Sequence, residues 1–153
     1  MNHDARLLED LLDREIELAR RLAGVLADER VALTGRSHEA VTAKAAEKCE
    51  VLGALEKLET ERRDLCAATG QPLPPLAPNP PADGLASSVT ERWRSLMGLI
   101  AACSTANEVN GRIVHIRQVQ TRQLIDIVRG GPPVTYGPRG KTFATALRAL
   151  ARA

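Results

Sequence analysis

The stretch LLEDLLDREIELARRLAGVLADERVAL, residues 7–33, decides the fold. Leu8, Leu11, Leu18, Leu22 and Val25 recur at spacings of three, four and seven, and Leu12, Ile16, Ala19, Leu26 and Leu33 widen the stripe. That period belongs to a helix with one apolar face; a strand would alternate apolar and polar residues. Asp10–Arg14 and Glu17–Arg21 are spaced as i,i+4 ion pairs on the outer surface. The spacing predicts a helix over about 4–33. The adjoining TGRS, residues 34–37, supplies Gly35 as a helix stop and Ser37 as the next helix start.

A second helix is expected over about 38–68, with its stripe on Val41, Ala45, Cys49, Leu52, Leu55, Leu58 and Leu65. Six of the nine prolines then fall in QPLPPLAPNPPADGLA, residues 71–86, a density that excludes helix and central strand. Residues 70–87 are therefore expected as an extended linker. SVTE, residues 88–91, has the capping-box pattern. It opens a third helix over about 88–129, which would be ~60 Å long at 1.5 Å per residue. Val89, Trp93, Leu96, Ile100 and Cys103 step by four, three, four and three, and the same register continues through Asn107, Asn110 and Val114. Past the asparagines the stripe drifts to Val109, Ile113, Ile116, Leu124 and Ile127. Gly130-Gly131-Pro132-Pro133 ends it.

Three helices that each carry one apolar face cannot bury those faces alone. The expected fold is all-α: an elongated, antiparallel, coiled-coil-like bundle of three long helices over 1–129, with a partly flexible tail over 130–153. Phe143, Leu147 and Leu150 give the tail a short amphipathic helix, too short to be stable alone in water. Tyr136 and Phe143, two of the three aromatic residues, stand in this Gly/Pro-rich tail. Their position suggests packing against another surface. A chain with 44% hydrophobic but only 2% aromatic residues suits solvated helices with a narrow seam better than a deep ligand pocket.

The chemistry of an enzyme is not visible. His3, His38 and His115 are scattered, without metal-ligand spacing, and the carboxylates alternate with arginines in the pattern of a solvated surface. GPRGK, residues 137–141, lacks the spacing of a phosphate-binding loop. Neither catalytic residues nor a metal or cofactor site is expected. Cys49, Cys66 and Cys103 are odd in number and far apart, which suits buried reduced thiols in the cytoplasm. No signal-peptide run or membrane span is expected. Residues 1–69 hold 11 basic and 15 acidic residues, whereas 70–153 hold 10 and 4. The basic half raises the reading of a nucleic-acid binder, but its arginines at 112, 117, 122 and 129 are spread around the helix and no nucleic-acid motif accompanies them. A self-associating coiled-coil adaptor, and so a homo-oligomer, is a further reading of the seam.

Four segments in order carry a resemblance: residues 7–33; KCEVLGALEKLETERRDL, 48–65; NEVNGRIVHIRQVQTRQLIDIV, 107–128; and YGPRGKT, 136–142. The Asn-x-x-Asn-Gly, with Tyr-x-x-x-Gly-Lys-Thr about 25 residues later, is the sharper part. Together they resemble the FlgN family of flagellar type III export chaperones. The resemblance implies a cytoplasmic binding protein that holds the C-terminal helices of the hook–filament junction proteins FlgK and FlgL. It also implies delivery of these clients to the export gate protein FlhA. On this reading Asn107, Asn110, Ile113, Val114, Phe143, Leu147 and Leu150 would meet the client, and Tyr136 would meet the gate.

Overall fold

The computed structural model describes residues 3–70 and 86–131. The Pro-rich linker and the C-terminal amphipathic segment expected from the sequence lie outside the described residues. Three helices make up the fold: α1 His3–Thr34, α2 His38–Thr69 and α3 Ser87–Val128. The protein is all-α, with the three helices packed as a bundle. The chain divides into two units, Met1–Ala106 and Asn107–Ala153, so that α3 contributes to both.

The helix ends reflect local chemistry. The Gly35 N–H donates to the carbonyls of Val31 and Ala32, closing α1. The Ser37 hydroxyl accepts the Ala40 N–H at 3.2 Å, as an N-cap should. Gly70 closes α2 in the left-handed conformation (φ 67°), donating to the Cys66 carbonyl. The expected capping box at the start of α3 does not form. Ser88 lies inside the helix, and its hydroxyl donates to the Glu9 carboxylate on α1. The Ala86 carbonyl, accepting from Val89 and Thr90, opens the helix in its place.

Within the first unit, ion pairs fix the direction of the helices. Glu15 with Arg62, Arg21 with Glu50 and Glu29 with Lys48 pair rising with falling numbers, so α1 and α2 are antiparallel. Glu9 with Ser88 and Asp13 with Arg92 pair rising with rising numbers, so α3 runs parallel to α1 in an up-down-up bundle. One apolar cluster joins Leu8, Leu12, Ile16 and Ala19 of α1 to Cys66 of α2 and to Val89, Trp93 and Leu96 of α3. A second joins Leu22 and Leu26 to Val51 and Cys103. Fully burying one such aliphatic side chain contributes about 1.5–3 kcal/mol, so this double seam is the main favourable term.

The structure moves three sequence expectations. The stripe of α2 is rotated: Val51, Leu58, Arg62 and Cys66 are buried, while Cys49 and Leu52 are exposed. Apolar spacing alone selects Leu52, one residue and about 100° of helix away from Val51. The inward line of α2 is hidden in the sequence because it contains an arginine. The expectation of three buried thiols holds for Cys66 and Cys103 only. Arg14 and Arg21 do not pair along their own helix; they reach Glu61, and Glu47 and Glu50, on α2. These surface pairs are each worth little.

The carboxylates are not all on the solvated surface either. Glu15 is buried, and Arg62 is 0% exposed. The Arg62 Nε–H donates to both Glu15 oxygens, at 2.9 and 3.2 Å. The guanidinium carbon lies 4.8 Å from the centroid of the Trp93 ring, a cation–π contact. One residue from each helix thus meets at a single point. Nη1 and Nη2 of Arg62 and Nε1 of Trp93 find no acceptor among the described residues. Burial pushes the Glu15 carboxyl above its ordinary value; the charge and hydrogen bonds of Arg62 pull it down, and Glu59 adds to the rise.

This cluster leads to two expected outcomes. Glu15→Leu strands a guanidinium that cannot discharge, and should cost about 3–5 kcal/mol; the double variant Glu15→Leu/Arg62→Met should recover most or all of it. Urea unfolding curves check both. The native state also holds the Glu15 proton more tightly than the unfolded chain does. Its stabilising contribution is therefore full below the ordinary carboxylate range and is lost as pH rises through the raised pKa. Lowering the pH from about 7 to about 5 should make the wild type gain stability relative to Glu15→Gln, as read by unfolding curves at each pH. A relative loss would show that Arg62 outweighs burial.

Candidate binding face on the third helix

The second unit begins at Asn107, in the middle of the unbroken helix α3. Asn110 is 2% exposed, and Asn107, Ile113 and Val114 are half-buried. Neither asparagine is without an interaction partner, as a sequestered amide requires. These four predicted site residues lie within about two turns of one another, at spacings of three, six and seven from Asn107. The other four, Tyr136, Phe143, Leu147 and Leu150, lie outside the described residues.

From residue 116 onward the character of the helix changes. Ile116, Leu124, Ile125, Ile127 and Val128 are 44–86% exposed. Periodicity alone assigns Ile116, Leu124 and Ile127 to the packed seam; among the described residues nothing buries them. The signal lies in the lengths. α3 has 42 residues against 32 for each of α1 and α2, a surplus of ten.

Helical geometry gathers these residues. Counting about 100° per residue from Ile113, Ile116, Leu124, Ile127 and Val128 all fall within about 60° to either side. These residues share one side of the helix, in two groups separated by Arg117 and Gln120, whereas the exposed apolar residues of the first unit, Leu7, Val31 and Leu52, are far apart in sequence. The strip is also well supported at its end. Gly130 takes φ 77°, its N–H donates to the Ile127 carbonyl, and the Gly131 N–H donates to the Asp126 carbonyl at 2.9 Å. This is a Schellman stop, which satisfies the last carbonyls and holds the final turn.

The described residues supply little for catalysis. No group of three or more His, Cys, Asp or Glu residues among them could hold a metal ion. Burial pushes the Cys103 thiol up, away from the reactive thiolate. Among the described residues no helix is long and apolar enough to cross a membrane. What the arrangement offers is a surface: a rigid amphipathic helix with its apolar side in water, suited to laying another helix alongside.

A model of the FlgN protein family matches residues 1–143. No curated protein and no solved structure matches the chain significantly. With all but the last ten residues covered, the chain belongs to the FlgN family, whose members are flagellar export chaperones and not enzymes.

Proposed function

We propose that this chain is a cytoplasmic chaperone for the hook–filament junction proteins FlgK and FlgL, that it holds their C-terminal amphipathic helices, and that it hands them to the export gate protein FlhA. The observation that carries this reading is the exposed strip Ile116–Leu124–Ile127–Val128 on α3. An export chaperone must cover a sticky helix and later release it. One helix face of this size meets both needs, because modest apolar burial gives modest affinity.

In this reading Ile113 and Val114, half-buried at the N-terminal end of the strip, extend the client surface. Asn107 and Asn110 set the register of the helix that presents it. Phe143, Leu147 and Leu150 add a second apolar face that clamps the client from the tail. Tyr136 is the aromatic anchor for the gate; family resemblance and its place in the sequence support that role.

Leu124→Asp and Ile127→Asp should each weaken a FlgK or FlgL C-terminal peptide by more than about tenfold in titration calorimetry, since each places a charge on a surface that must be desolvated. Their melting temperatures should stay near that of the wild type, because both positions are exposed. Unchanged affinity in both variants would remove the strip from client binding. A chain that ignores both peptides and self-associates in light scattering would be the coiled-coil adaptor.

Tyr136→Ala should weaken binding to the cytoplasmic domain of FlhA while leaving the client peptide affinity intact. Equal gate affinity would reject that role.

A further inference from the structure

The exposed apolar residues at the end of α3 are followed in the same unit by a second apolar run. Leu124, Ile127 and Val128 are 61–86% exposed, and Phe143, Leu147 and Leu150 come after them at spacings of four and three. At about 100° per residue, a helix over the second run would gather its three large residues within about 60°. It would carry Arg148 and Arg152 about 140° and 180° from Phe143. Docked on its apolar line, such a helix keeps both cations in water. Ala146 and Ala151 flank that line and leave room for close approach. The path between the two runs is short. Gly130 and Gly131 stop α3, and Pro132-Pro133 cannot continue it. Eleven residues, 132–142, separate Gly131 from Phe143. Extended, they would reach ~36 Å, about twice the ~17 Å from Ile116 to Ile127.

From this we infer that, in the client-free chain, residues 143–150 fold back as a helix onto the Ile116–Val128 side of α3, cover its exposed apolar residues and compete with the client for them. The run is antiparallel, as a short connection makes neighbouring helices, with Phe143 near Ile127 and Leu150 toward Ile116. The competition, though not the contact itself, rests on the reading of this strip as the client face. A segment of this length does not hold a helix alone in water, so it orders only where its apolar line is buried. A short tether keeps its local concentration roughly millimolar, so a weak contact is enough to occupy the strip. A client with a longer apolar face displaces it, and the three side chains it frees then close over the client.

The test is disulfide trapping in the full chain carrying Cys49→Ser, since Cys66 and Cys103 are buried. Gln120 lies among the strip residues, and Arg122 lies about 160° around the helix from it. Under mild oxidant, Gln120→Cys/Ala146→Cys should close an intramolecular disulfide at least about tenfold faster than Arg122→Cys/Ala146→Cys, because a docked tail, unlike a free one, samples one side of α3. Helicity by circular dichroism confirms that both variants are folded. Without trapping, Leu147→Asp/Leu150→Asp should speed hydrogen exchange over 116–128 by about threefold or more in the client-free chain, with α1 and α2 unchanged. A FlgK C-terminal peptide should slow the Gln120→Cys/Ala146→Cys coupling. Equal coupling at the two positions, or exchange that ignores the tail variant, would overturn the inference. A disulfide that forms only between chains would overturn it too and assign the face to a second copy. A peptide that binds without slowing the coupling would overturn the competition while sparing the proposed function. Selective coupling with no binding of a FlgK or FlgL peptide would uphold the contact and overturn the client reading.

Discussion

A single buried contact, Glu15 to Arg62 with the guanidinium laid over Trp93, ties the three helices together. Leucine seams are permissive: a helix that slides by one turn along another still finds leucines to pack against. A buried cation does not slide. Moved by a turn, Arg62 would lose both its carboxylate and its ring, and an isolated buried charge costs several kcal/mol. The pair is not a large net source of stability, because its desolvation offsets most of its attraction. Its consequence is alignment: of the sliding arrangements that the leucines would accept, it admits one. With the alignment set, Leu8, Leu12 and Ile16 meet Val89, Trp93 and Leu96, and Leu22 and Leu26 meet Val51 and Cys103.

That division of labour explains what is readable in the sequence. The seam of α1 is legible almost residue by residue, because its inward line is apolar throughout apart from Glu15 and Glu29. The first half of α3 is legible for the same reason. The seam of α2 is misleading because its inward line runs through Arg62, and charged residues are ordinarily assigned to the surface. The pairing of Glu15 with Arg62 joins residues 47 positions apart, and nothing in local spacing announces it. Capping is legible at Ser37, which acts within its own chain segment, and misleading at Ser88, whose hydroxyl is taken by Glu9 on another helix.

The candidate site divides similarly. Sequence pattern points to the Asn-rich middle of α3 and its C-terminal half, and to Asn107, Asn110, Ile113 and Val114 within them. Burial then separates two kinds of residue that periodicity treats alike. Asn110 is sequestered, whereas Ile116, Leu124 and Ile127 remain in water. An apolar residue in register says only that a face exists; whether a partner is present depends on the lengths and ends of the other helices.

The bundle and the strip together suit a chaperone: the first unit holds the buried apolar clusters, and the second presents apolar side chains to water. On the proposed reading, a client helix is held along α3 beyond the asparagines and does not wedge between α1 and α2. Hydrogen–deuterium exchange of the full chain, with and without a saturating FlgK or FlgL C-terminal peptide, tests this most directly. New protection is expected over residues 113–128, with exchange in α1 and α2 unchanged. New protection or opening confined to α1 and α2, with none over 113–128, would contradict it.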